Sequence, residues 1–173
     1  MTRRMIRRAI VSAAAVTALG SLLHFVWAWS GRSAAVAVVA ATSESTWEHL
    51  KLAFWPALAI TPIQRALYGP LPGWPPAVAI RCLLPSCLIV ALAHGYRALT
   101  GGHALPVDLG IFASAVLAGE LLGHAALTHR FGRKSRIGAY GLLVLTTLVF
   151  STLTFAPPDF FLFREGAAAR PGR

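Results

Sequence analysis

A chain of 173 residues has the length of one soluble domain, but 56% hydrophobic residues, 13% charged residues and a mean hydropathy of +0.63 leave too little polar surface to cover one. The formal net charge of +10 does not point to nucleic acid, because the basic residues fall between long apolar runs rather than along a water-facing stripe with interleaved aromatics. That distribution is the pattern of membrane topology, so the expected fold class is all-α, a polytopic membrane protein with the lipid bilayer as its principal partner.

Arg3, Arg4, Arg7 and Arg8 precede an apolar run over residues 9–29, which at about 1.5 Å per residue spans roughly the 30 Å of a bilayer core. This is the first expected helix. A cleavable signal peptide covering residues 1–28 is the rival reading, with Val26 and Ala28 as the small pair before the cut. The length of the run, and Trp27 and Trp29 as interfacial anchors, favour the helix. Residues 34–41 are too few to span and are expected along the interface.

A second helix is expected over 46–67. Ser45 and Glu48 form a capping box at its start, Glu48 can pair with Lys51, and Lys51 is expected to snorkel to the headgroups. Pro56 and Pro62 should kink it. Residues 68–76 are turn chemistry, followed by a third helix over 77–99 in which Arg81 is expected to snorkel and His94 falls near the far end. Pro106 and Asp108 open a fourth helix over 107–127, and a fifth is expected over 137–155. Phe160, Phe161 and Phe163 read as interfacial, and 166–173 as a disordered tail. Cys82 and Cys87 would point about 140° apart on one helix, so they read as small buried hydrophobes rather than a disulfide or metal pair.

Five crossings with the N-terminus cytoplasmic put 10 of the 16 Lys and Arg residues, and no acid outside Glu120, on the inner side. The outer side then holds Glu44, Glu48, Asp108, Asp159 and Glu165. This satisfies the positive-inside bias and places the protein in the cell inner membrane. It also sets His24, His49 and His94 at similar depth near the outer face, level with Glu44 and Glu48.

The stretch Ser43-Glu44-Ser45-Thr46-Trp47-Glu48-His49-Leu50-Lys51 concentrates chemistry that is scarce elsewhere, since only 6 residues of the chain are acidic. Carboxylate and imidazole are ligands for zinc, iron and manganese, which makes Glu48, His49 and His24 candidate ligands of a divalent metal. Adjacent Glu48 and His49 would point about 100° apart on a helix, and the spacing matches no established metal motif. Glu120 and His124 share a helix face deep in an apolar segment, where ionisable residues are functional by default. Gly119 and Gly123 beside them have the small-xxx-small spacing that admits a second copy of the chain. There is no nucleophile elbow, phosphate loop, Rossmann fingerprint or internal repeat.

His24-Phe25-x-Trp27-x-Trp29-Ser30-Gly31 and the 43–52 stretch, with Phe54-Trp55-Pro56 and the closing Phe155 to Phe163, resemble a family of small bacterial and archaeal multi-helix membrane proteins of unknown function. Members pair an H-F-x-Y-E-W-S-like end of helix one with an N-E-S-x-W-E-H-x-K segment opening helix two. The chain departs from that pattern at Ser43, where Asn is usual, and at Ala28, where an acid is common. The resemblance implies membrane location and weight on Glu44, Trp47, Glu48 and His49; it implies no activity.

Three readings remain open. The first is a binding or structural protein with an outward-facing pocket of His24, Glu44, Glu48, His49 and Glu120. The second is a small metal-dependent membrane enzyme using Glu48 and the histidines. The third is a proton-coupled permease subunit carrying protons on Glu120 and His124.

Overall fold

The computed structural model describes residues 1–164, so the tail expected at 166–173 lies outside the described residues. It is all-helical, with no strand among those residues. The helices are α1 (Arg3–Trp29), α2 (Ala34–Ala37), α3 (Thr46–Ala59), α4 (Thr61–Tyr68), α5 (Trp74–Thr100), α6 (Leu105–Ala126) and α7 (Arg133–Leu153), followed by a 3-10 turn (Phe161–Phe163). Four of them, α1, α5, α6 and α7, are long and apolar enough to cross a membrane. The surface agrees: Leu22, Phe25, Leu142, Val144, Leu145 and Leu148 are exposed, while the two largest fully buried side chains are Arg81 and Lys51. Apolar residues outside and paired charges inside describe a multi-pass membrane protein.

The second expected helix is not one helix. Pro56 is accommodated inside α3, but Pro62 falls in the first turn of α4. A proline at 62 has no N–H to offer the Leu58 carbonyl and its ring would collide there, so the helix ends at Ile60 and restarts. The Thr61 hydroxyl donates to the Ala57 carbonyl at 2.9 Å, serving a backbone oxygen at the break.

Despite the break, α3 and α4 together run the length of α1 in the opposite direction. His49 meets His24 near one end of α1, with ring centroids 5.4 Å apart. Gly20 lies against the Leu52 backbone so closely that a Cβ would collide with the Leu52 carbonyl oxygen. Further along, Gln64 Nε2 donates to Ser12 Oγ at 2.7 Å, and the Arg8 guanidinium sits 4.1 Å over the Tyr68 ring. Tyr68 then stacks on Trp74, where α5 begins. α5 packs against α6, which also packs on α1, and α7 lies on the outside against α5.

Gly119 and Gly123 do not face outward for a second copy, as their spacing suggested. α5 of the same chain fills that face: Pro85 lies over Gly119, and the Arg81 side chain and the Ala77 carbonyl lie over Gly123. A Cβ at 123 would occupy the space of Arg81 Cγ.

At the His24 end, a buried ion pair ties the short segments together. Ser45 caps α3, accepting from the Glu48 N–H at 3.3 Å, but the Glu48 carboxylate does not return to the Ser45 amide. It accepts instead from the Thr42 N–H at 2.8 Å, the Thr42 hydroxyl at 2.9 Å and Lys51 Nζ at 2.7 Å. Lys51 does not snorkel. It is fully buried and also donates to the Ala37 carbonyl at 2.8 Å and the Thr154 hydroxyl at 3.0 Å. The aromatic layer above is Trp47, stacked on Phe163 at 4.5 Å and edge-on to Phe150 at 5.0 Å.

Lys51→Met should therefore destabilise the detergent-solubilised protein by about 3–5 kcal/mol, because it strands Glu48 without its cation. Adding Glu48→Gln should recover much of the loss, which chemical unfolding of the single and double variants would measure. Gly123→Val should cost about 1–3 kcal/mol by overpacking against Arg81 and Ala77. The same change at Gly110, where nothing lies within 4 Å of a new Cβ, should cost much less in the same assay.

Candidate functional site

The expected site residues do not converge on one pocket. They fall into an outer group of His24, Glu44 and His49, the buried pair of Glu48 with Lys51, an aromatic layer containing Trp47, and a deep group around Glu120 and His124.

In the outer group, Ser45 N–H donates to Ser43 Oγ at 3.4 Å and the Ser43 hydroxyl donates to Ser45 Oγ at 3.1 Å. This polar turn ahead of the α3 cap leaves Glu44 outside the helix, with its side chain 71% exposed and facing α1. Its carboxylate lies 3.4 Å from His24 Nε2 and 3.6 Å from His49 Nε2. One ligand atom from each of the three residues falls within 4.8 Å of the others. His49 Nδ1 sits 2.8 Å from the Ser45 carbonyl. A carbonyl only accepts, so Nδ1 carries the proton, and in the neutral ring Nε2 presents its lone pair to Glu44 and His24.

Those separations have a chemical meaning. Ligand bonds of about 2.0–2.1 Å around a tetrahedral zinc put neighbouring ligand atoms about 3.4 Å apart. The carboxylate–imidazole distances, 3.4 Å from His24 to Oε1 and 3.6 Å from His49 to Oε2, are each near that length but run to different oxygens, and one ligand atom per residue can be chosen only to within 4.8 Å of the others. Two imidazoles and one carboxylate form a donor set suited to zinc, iron or manganese, and the exposure of Glu44 leaves the remaining positions open to water. Glu48, expected among the ligands, is taken up by Lys51 and Thr42, and the carboxylate that lies with His24 and His49 is Glu44.

The deep group is held by a residue expected elsewhere. Arg81 does not snorkel; it is 1% exposed, and its Nε donates to Glu120 Oε2 at 2.8 Å. His124 Nδ1 donates to the Glu120 carbonyl at 2.8 Å and lies 3.4 Å from Glu120 Oε2. Both acid and imidazole are completely buried. Arg81 Nη1 and Nη2, Glu120 Oε1, His124 Nε2 and Gln64 Oε1 have no protein partner among the described residues, the condition that internal water serves in buried polar clusters. Arg81 was legible in principle: a basic residue in one apolar run and an acid in another are expected to pair inside the bundle. Gly123, one turn beyond Gly119, leaves the room it needs.

Among the remaining histidines, His94 packs edge-on to Phe161 at 4.8 Å, and His103 lies 3.3 Å from Asp108. Cys82 is buried and Cys87 exposed, and both are free thiols.

No curated protein and no solved structure matches the chain. A family model, a family of unknown function designated DUF6512, matches residues 2–172. With almost its whole length covered by that model, the chain belongs to this family, whose function is unknown.

Proposed function

We propose that this is an inner-membrane protein with its N-terminus in the cytoplasm and that it binds a divalent transition metal at its outer end through His24, Glu44 and His49. The observation that carries the reading is the convergence of three ligand atoms within 4.8 Å, with the His49 tautomer fixed by the Ser45 carbonyl. Carboxylate–imidazole contacts also form in the absence of any metal, so the distinguishing feature is a third ligand, the second imidazole, in the same cluster, with the His49 Nε2 lone pair turned toward it. A bound metal would supply Lewis acidity and a water of lowered pKa at its open position.

α3 and α4 serve in this reading as a broken fifth crossing. α1 meets α6 at Gly20 with Phe112 and at Ser12 with Glu120, and α5 turns into α6 through a short loop. α1 and α5 therefore both run antiparallel to α6, the chain must travel back between them, and α3 with α4 is the segment that does so. That parity puts the basic loop around Arg130 to Arg136 on the same side as Arg3 to Arg8, as the positive-inside bias requires.

The proton-coupled reading of Glu120 and His124 has less support. Arg81 Nε holds the Glu120 carboxylate at 2.8 Å, so the acid already has a fixed structural partner joining α5 to α6.

Purified protein should take up one zinc per chain by calorimetry and elemental analysis. His24→Ala, Glu44→Ala and His49→Ala should each weaken binding by at least about tenfold, and Glu120→Gln should leave it unchanged. Zinc at about one hundred times its Kd should raise wild-type stability by about 2.7 kcal/mol. Equal metal content in wild type and all three alanine variants would remove the proposal. For the topology, a cysteine at Ser135 in a Cys82→Ala/Cys87→Ala background should react with an impermeant maleimide only after the membrane is opened, and one at Ser33 should react in intact cells.

A further inference from the structure

Away from both polar groups, a cavity of about 810 Å³ opens between α7 and the α3–α4 elbow with the start of α5. Its volume falls within the range of small-molecule sites, about 300–1,000 Å³. One wall is a single stripe of α7: Arg136, Tyr140, Leu143, Val144, Thr147 and Leu148 recur at the spacing of one helix face. The opposite wall carries Leu58 and Thr61 from the elbow, and Val78 from α5. The walls are apolar over most of their length. At one end, three guanidinium-bearing residues converge on the lining: Arg65, Arg130 and Arg136.

Those arginines have no acid to neutralise them among the described residues. Each of the five described acids is engaged elsewhere: Glu44 with His24 and His49, Glu48 with Lys51, Asp108 with His103, Glu120 with Arg81, and Asp159 with Arg164. Arg65 rests over the Trp74 ring at 5.6 Å, and Arg65, Arg130 and Arg136 are all exposed at the mouth. A groove with uncompensated guanidinium groups at its rim and hydrocarbon walls within fits a ligand with a phosphate at one end and an apolar chain at the other. Its length supports the same ligand. From Arg136 to Leu148 the α7 stripe extends about 18 Å, against about 15 Å for the hydrocarbon of one leaflet. A phosphate at the arginines would therefore lie at the headgroup level with its acyl chain directed along α7 toward the bilayer centre.

We propose that this groove is a binding site for an anionic phospholipid, its phosphate held by Arg65, Arg130 and Arg136 and one acyl chain lying between α7 and the α3–α4 elbow. The site is independent of the metal reading, because none of its residues contributes to the outer cluster. The break at Ile60 and Thr61 has a use here, since the elbow itself forms the wall that α7 faces.

The test is native mass spectrometry of the full chain released from mixed micelles of equimolar phosphatidylglycerol and phosphatidylcholine. Wild type should retain one phosphatidylglycerol in preference to phosphatidylcholine. Arg65→Gln, Arg130→Gln and Arg136→Gln should each weaken that preference by about fivefold, whereas Arg3→Gln with Arg4→Gln should not. Val144→Trp, which fills the groove and leaves the arginines in place, should reduce retention of the lipid; it also decides the question if an arginine variant fails to fold. Equal retention of the two lipids by wild type would overturn the site. So would retention unaffected by Val144→Trp, or inorganic phosphate binding at the same arginines that is indifferent to that substitution.

Discussion

The ammonium of Lys51 has three N–H donors, and all three are used inside the protein: on Glu48, on the Ala37 carbonyl and on the Thr154 hydroxyl. An ion pair taken out of water or lipid headgroups is tolerable only when its remaining hydrogen bonds are satisfied, and this one meets that condition. Its partners come from α2, from the first turns of α3 and from the end of α7. One contact set thus ties the short α2 and the end of α7 to α3, which is itself anchored in the core by Leu50, Ala53, Phe54 and Ala57. Because the Glu48 carboxylate also grips Thr42, the turn of residues 42–45 is held, and with it the direction in which Glu44 leaves the chain. The outer His–Glu group depends on an ion pair that does not belong to it.

A second buried pair, Arg81 with Glu120, performs the corresponding task in the depth of the bundle by joining α5 to α6. The two pairs differ in completeness. Lys51 has no spare donor, whereas the Arg81 terminal nitrogens and the second Glu120 oxygen lack protein partners. Both charges of that pair are nevertheless enclosed, and Gly123 is the condition for it, since a side chain there would stand where Arg81 lies. Small residues at helix contacts are often read as places for helices of separate chains to meet. Here the same spacing makes room for a large polar side chain within one chain.

The apolar spans were legible in the sequence because hydropathy over some twenty residues depends only on local composition. The Ser45 cap was legible for the same reason: its donor and acceptor lie three residues apart. What was not legible depended on tertiary distance. Whether Lys51 and Arg81 extend to headgroups or turn inward is decided by whether an acid waits in reach on another element, and nothing local to either residue carries that information. The exchange of Glu48 for Glu44 in the outer group has a similar origin. Glu48 and His49 were rightly separated by about 100° of helix, but the partner that brings Glu44 into place is His24, from a different helix. Pro62 was read as a kink; the chain resolves it as a full stop, with Thr61 serving the Ala57 carbonyl at the break.

The two ends of the bundle differ in what the pairing of the acids leaves over. Acids are few, and every described one is paired, so the distribution of the basic residues decides what is left over. At the end holding His24 and Glu44, an exposed carboxylate faces two imidazoles, with Arg32 and Arg97 on the same side of the bundle. At the end holding Arg65, Arg130 and Arg136, only donors remain. From Arg8 to His24 along α1 the ends are separated by about 24 Å, about three Debye lengths at physiological ionic strength. Charge at one water face is therefore screened from the other. A cation at the first end and a phosphate at the second would not interact appreciably through solvent; the α3–α4 pair, which carries His49 at one end and Arg65 at the other, is the direct path between them within the chain.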